Sequence, residues 1–203
     1  LQLKATQTKS KADEFLIKNF SAFNLKSEKD MVFVEERTDN YGLKNVIYRQ
    51  YYQGVPVYDG ILKFHFNRNE QLTSINGNAI SNIKVNAKPT ISQAEAGAIA
   101  KNLVNQQQLN NSKVPLEVAK NNLLVFPKNL VQGGSVTSYL AYEVEVTNRN
   151  DVREFLFIDA HSGELVEQFT GMHAIDRKLY ETNTNASNLK WKEGDPLPGA
   201  LNI

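Results

Sequence analysis

No cysteine occurs in the 203 residues, which excludes disulfides, thiolate metal sites and cysteine nucleophiles. Histidine is scarce: His65, His161 and His173 are the three present, and none stands in the His-Glu-x-x-His pattern of a zinc-protease helix. A Gly-x-Ser-x-Gly nucleophile elbow and a phosphate-cradling glycine loop are missing as well. Charge of one sign is lacking, with 23 Lys and Arg against 22 Asp and Glu. That balance excludes the basic stripe of a nucleic-acid binder and the polybasic cluster of a membrane-surface protein. No apolar run approaches the roughly 20 residues needed to span a bilayer, so no membrane insertion is expected. The opening residues, Leu1-Gln2-Leu3-Lys4-Ala5, contain no apolar signal core, so any signal is expected to have been removed or left out.

What is present reads as one structural plan used twice. A helix is predicted from Ser10, with Asp13 near its positive end and Phe15, Leu16 and Phe20 as its apolar stripe. In the period-2 stretch that follows, Val46, Tyr48, Gln50 and Tyr52 share one face, opposite Ile47, Arg49 and Tyr51. Ile61 to Phe66 and Gln71 to Ile75 read as a hairpin around Asn67-Arg68-Asn69-Glu70, and Asn76-Gly77 as a closing turn. Residues 80–90 are polar, lack a periodic face, and are predicted to be a linker.

The second unit opens on a capping box, Ser92-Gln93-Ala94-Glu95. Ala96, Ile99, Ala100, Leu103 and Val104 then mark one apolar helix face. Leu123 to Phe126 predicts a short strand and Tyr139 to Thr147 a long alternating one. Arg153 to Asp159 and Glu164 to Phe169 predict a hairpin around His161-Ser162-Gly163. The expected fold class is α+β: two similar lobes, each a helix on an antiparallel sheet, followed by an extended tail. One helix covers only one sheet face, so the other face must be solvated or meet a partner.

Acidic residues offer no catalytic pair. Glu35-Glu36 reads as a solvated face, and Glu143 with Glu145 as the polar side of an alternating strand. Neither resembles a carboxylate pair with a raised pKa, and no independent catalytic activity is expected. His65 reads as a strand residue and His161 as a turn residue.

The most specific stretch is Gln50-Tyr51-Tyr52-Gln53-Gly54-Val55-Pro56-Val57-Tyr58-Asp59-Gly60. It describes a strand, a glycine turn and a proline-stiffened return. It resembles the signature of the fungalysin/thermolysin propeptide domain. Arg49, Gln50, Tyr52, Gly54, Pro56, Val57 and Gly60 carry the likeness, with His65 and Asn76-Gly77 where that family has a His and an Asn-Gly. Arg49 directly precedes Gln50, so its spacing departs from the family pattern. The second unit resembles a PepSY domain, through Ile91-Ser92-Gln93-Ala94-Glu95-Ala96 and through Phe157 to Glu164 with Asp159 and Gly163. Arg177 to Thr182 and Leu197-Pro198-Gly199 resemble the first strands of thermolysin-like catalytic domains.

The resemblance implies lobes at 1–79 and 91–172 in a cystatin-like or PepSY-like shape, and a maturation junction and truncated catalytic domain over 173–203. It implies the pro-region of a secreted bacterial zinc metalloendopeptidase, acting as intramolecular chaperone and inhibitor of its own catalytic domain in cis. Zinc and calcium would belong to that missing domain, with no cofactor in this chain. The family often matures after a histidine, which makes His173–Ala174 the first choice of bond. Ala174–Ile175 and Gly171–Met172 compete, because thermolysin-like enzymes favour a bulky apolar residue after the cut. After cleavage, a neutral His173 could approach the catalytic zinc; a plain linker role is the alternative. Two other classes stay open: a stand-alone cystatin-like inhibitor, and a PepSY module of the cell envelope.

Overall fold

The computed structural model describes residues 7–107, 114–130, 136–171, 178–181 and 188–192, the last two stretches as backbone only. The first apolar stripe forms α1, Thr8–Asn19, which starts two residues ahead of Ser10. Asp13 does not cap it. Its carboxylate instead accepts the Tyr48 hydroxyl at 2.7 Å. Burial, with Asp13 alongside, pushes the Tyr48 phenol well above the usual tyrosine range.

Four strands follow: β1 Met31–Thr38, β2 Lys44–Tyr52, β3 Val55–Phe66 and β4 Leu72–Asn78. The predicted alternation holds in β2, where Val46, Tyr48 and Gln50 are all buried. Ala12 and Leu16 of α1 pack with Val46, Tyr48, Leu62, Phe64 and Phe66 into one core. Strand β1 had no sequence expectation beyond a solvated Glu35-Glu36. It is an edge strand with a bulge at Val34, and only Met31 is buried, so it carries no alternating signature.

Asn76-Gly77 is not a turn. Both residues lie inside β4, where Gly77 pairs with Leu62 at a φ of 123°. A Cβ there would stand 1.9 Å from the Ile61 carbonyl oxygen, so the glycine marks close backbone approach instead of a chain reversal.

The capping box forms as written. Ser92 Oγ accepts from Glu95 N at 3.2 Å, and Glu95 Oε2 accepts from Ser92 N at 2.7 Å. The Ser92 amide and hydroxyl hold the Glu95 carboxyl below the usual carboxylate range. Helix α2 then runs Gln93–Gln106. Beyond it come β5 Glu117–Lys128, β6 Thr137–Thr147, β7 Arg153–Asp159 and β8 Leu165–Thr170. The second core gathers Ala96, Ala100 and Val104 of α2 with Val125, Leu140, Tyr142, Val144, Val146, Leu156 and Ile158.

The two expected sheets are joined into one. Eight strands run β1-β2-β3-β5-β6-β7-β8, with β4 on β3. The fold is therefore mixed α+β, one large and mostly antiparallel sheet carrying two helices. The segment 80–90, predicted as a polar linker, is packed: Ile80 and Ile83 are buried in the second core, with Val85 and Ala87 against it. Its apolar residues follow neither the helix nor the strand period, which hides them in the sequence. The tail is not merely extended, since β9 Lys178–Glu181 pairs with β10 Asn188–Lys192.

Gly77→Ala tests the strand assignment. It should cost roughly 3 kcal/mol, because a methyl group at this φ must displace backbone. Urea unfolding measures it; a turn glycine with open space around it would lose far less.

Candidate functional site

The sequence motif around Gln50 turns out to be the joint of the molecule. β2 ends at Tyr52, and Gln53 and Gly54, both at positive φ, make the two-residue reversal into β3. Pro56 pairs with Tyr51, and Ile61 with Arg49, so four residues of β3 stand opposite Gln50 alone. In that excursion Val57 pairs in parallel with Val125 of β5, the only β3–β5 register among the described residues. Gly60 makes the return possible, since a Cβ would meet the Gln50 Cβ at 2.8 Å. The released space is filled by the Gln50 amide. Its Nε2 donates to the Ile80 carbonyl at 2.8 Å, and its Oε1 accepts from Ile80 N at 2.7 Å. The Tyr52 hydroxyl donates to the Val85 carbonyl at 3.3 Å.

His161 completes the same latch from the other side. Its Nε2 lies 3.0 Å from the Asn86 carbonyl oxygen and its Nδ1 3.2 Å from Thr90 Oγ1. A carbonyl only accepts, so in the neutral ring Nε2 carries the proton and Nδ1 accepts from the threonine. Asp159 shapes this turn by accepting from the amides of His161 and Ser162, at 2.7 and 2.9 Å. Gly163, at φ 77°, closes the turn against Ile99. Sequence reading missed the role of His161, because its partners lie 71 and 75 residues away. His65 bonds Asn76 Oδ1 at 2.9 Å across the β3–β4 pair and joins no cluster.

On the sheet face turned away from α2, aromatic rings collect. Phe126 stacks on Phe157 at 4.1 Å, and Tyr58 meets them edge-on at 5.4 and 5.1 Å. Phe169 packs edge-on against Phe157 at 5.8 Å. Phe126 and Phe157 are buried, whereas Tyr58 and Phe169 remain 37% and 46% exposed. The face opposite α2 is therefore apolar, a small buried cluster at whose edge Tyr58 and Phe169 stay exposed. Two clefts flank Tyr58. One of about 540 Å³ holds Arg49, Asp59, Lys120 and Glu143, with Lys120 and Glu143 paired at 2.7 Å. The other, about 310 Å³, lies between Tyr58, Phe126, Leu130 and Phe169, with Asp59, Asn129 and Glu167 on its rim. Burial, with Glu143 and Asp59 near, raises the Tyr58 phenol above the ordinary tyrosine range.

Phe169 lies next to the expected maturation junction. Gly171 is pinned to β7, its amide donating to the Arg153 carbonyl at 2.6 Å. A side chain there would strike Phe155 at 2.8 Å. Met172, His173, Ala174 and Ile175 lie outside the described residues, as does Leu197-Pro198-Gly199. Among the described residues, no group of three or more His, Asp or Glu is placed to hold a metal ion, and no helix is long and apolar enough to cross a membrane.

Residues 29–79 match the Fungalysin/Thermolysin Propeptide Motif, and residues 90–169 match the Peptidase propeptide and YPEB domain, or PepSY. The chain carries both propeptide domains, in that order. The propeptide motif thus ends where the packed connector begins, and the PepSY domain ends at Phe169. No curated protein matches the chain. Among solved structures it is similar to the Bacillus megaterium YpeB C-terminal domain. That match has 17% identity and a TM-score of 0.39, covering 84% of this chain and 67% of that one. A tandem of propeptide domains supports a protease-propeptide role in general, one that implies association with a protease catalytic domain.

Gln50→Ala tests the joint. It leaves the Ile80 amide and carbonyl buried without partners, at about 1–3 kcal/mol for each. Unfolding in urea should show a loss of roughly 3 kcal/mol. A loss below 1 kcal/mol would mean that the clamp holds nothing.

Proposed function

We propose that this chain is the pro-region of a secreted bacterial thermolysin-like zinc metalloendopeptidase, serving as intramolecular chaperone and then as inhibitor. The observation that carries the reading is the order of parts: two propeptide domains fused through β3, followed by more chain beyond Gly171. On this reading the lobes are 1–79 and 91–172, two helix-on-sheet units of cystatin-like plan joined by residues 80–90. Residues 173–203 are the junction and the start of the catalytic domain. Zinc and calcium belong to that domain.

The chemistry asked of the pro-region is recognition, not catalysis. A folded apolar face offers a nucleating surface to a catalytic domain that has not yet buried its own. The bond Gly171 N to Arg153 O fixes the point from which the junction departs. From there the segment enters the substrate cleft, and cleavage follows at His173–Ala174, or at Ala174–Ile175 or Gly171–Met172. Tethering supports inhibition even by a modest interface, because a short linker sets an effective concentration on the order of millimolar.

The test is a titration of the chain into its cognate mature protease. Tight, slowly released inhibition is expected. Replacing residues 172–175 by Gly and Ser should weaken it at least tenfold while circular dichroism stays unchanged. A folded chain at micromolar concentration that leaves the cognate protease fully active would remove the inhibitor role.

A further inference from the structure

We propose that the acid-rimmed aromatic cleft beside Tyr58 receives an arginine side chain from a partner protein docked on this face. Tyr58, Phe126, Leu130 and Phe169 line it, and Asp59 and Glu167 stand on its rim. Its volume of about 310 Å³ lies at the low end for ligand cavities, which suits one long side chain. Tyr58 and Asp59 come from the propeptide motif, whereas Phe126, Leu130, Glu167 and Phe169 come from the PepSY domain. The cleft therefore exists only because β3 joins the two.

Charge selects the occupant. Asp59 and Glu167 form no ion pair among the described residues. Asp59 accepts from a neutral amide, Asn78 Nδ2, at 2.7 Å, and Glu167 from the Gln168 backbone at 3.3 Å. Among the described residues that line the cleft there is no Lys or Arg. The nearest cation in sequence, Lys128, turns away and donates to the Val166 carbonyl at 2.7 Å. The neighbouring cleft differs, since Lys120 there already answers Glu143. Two carboxylates without a counter-ion, set beside apolar walls, call for a cation that tolerates partial loss of water.

The walls select the kind of cation. A guanidinium is planar, weakly hydrated and able to lie on aromatic faces, while its fork of N–H donors reaches carboxylates. An ammonium is a compact, strongly hydrated charge and gains less from rings. Tyr58 and Phe169 are the partly exposed rings here, so their surfaces are open to an incoming group. Burial, then Glu143 and Asp59, keep the Tyr58 phenol protonated, so its ring is neutral and its face attracts positive charge. The recognition itself does not need the propeptide reading. Where that reading holds, the arginine belongs to the catalytic domain.

The test is an amide NMR titration of the full chain with the peptide acetyl-Gly-Arg-Gly-amide. Saturable shifts are expected at Tyr58, Asp59, Asn129, Glu167 and Phe169, with millimolar affinity for so small a probe. The citrulline peptide, of nearly the same shape but neutral, should bind about tenfold more weakly, and the lysine peptide about fivefold. Asp59→Asn and Glu167→Gln keep each side chain's shape and remove its charge. Each should weaken the arginine peptide about fivefold. Phe169→Ala should do the same, and the two isosteric variants read the site even if that one proves unstable. No saturable shift at these residues would overturn the proposal. Equal binding of the citrulline peptide would make the cleft a plain apolar receptor, and equal binding of the lysine peptide would remove the guanidinium; either result overturns it. Shifts at the same residues on dilution without peptide would assign the cleft to a second copy and overturn it equally. Protease inhibition is a separate readout, so loss of one reading leaves the other standing.

Discussion

The two hydrogen bonds between the Gln50 side chain and the Ile80 backbone are the interaction on which the rest of the structure depends. β3 leaves β2 opposite Gln50, and the Gln50 side chain turns from that gap to the connector after β4. One carboxamide satisfies both a donor and an acceptor of Ile80 at once, and Gly60 supplies the room for it. Because Ile80 and Ile83 sit in the second core, the clamp couples the first unit to the packing of the second. Tyr52 and His161 add bonds to the same connector at Val85, Asn86 and Thr90. The two domains of the tandem therefore do not hang on a loose string. A surface assembled from both, such as the clefts beside Tyr58, keeps its shape.

That rigidity gives the second apolar face its meaning. α2 covers Leu140, Tyr142, Val144 and Val146 of β6, while Ala141, Phe126 and Phe157 gather on the opposite side into a small buried cluster of their own. Tyr58 and Phe169 pack against it and stay partly exposed. Tyr58 belongs to the β3 excursion and Phe169 to β8. The same joint that unites the domains thus puts an aromatic ring of the first beside those of the second. The charged pairs Lys120–Glu143 and Arg153–Glu145 border this face.

Much of this was legible in the sequence, for physical reasons that also explain the gaps. Local chemistry read well: the Ser92–Glu95 box, the alternation of β6 and the His161-Ser162-Gly163 turn each depend on residues a few positions apart. Gln50 to Gly60 stood out as a motif, yet its job was hidden, since its partners lie 30 residues away. Asn76-Gly77 has the chemistry of a turn, and only the pairing of β4 with β3 shows that the glycine answers a close carbonyl. β1 escaped because an edge strand buries one residue in eight and needs no alternation. The connector escaped because its buried isoleucines answer to a neighbouring core rather than to a period of their own. His161 looked bland for the same reason. The exclusion of disulfides, in contrast, needed no fold at all.

The aromatic face and the chain beyond Gly171 belong to one physical problem. A folding partner must present apolar surface before its client exists, and such a surface invites aggregation unless something occupies it first. A segment tethered a few residues away meets it at an effective concentration no free protein in dilute solution approaches. On the proposed function, a client in cis would cover this face at that effective concentration, and a cut between the two would leave the contact to its intrinsic affinity alone. A contact strong while tethered and weak once cut is what a pro-region would need if it is to help its partner fold and later let it go.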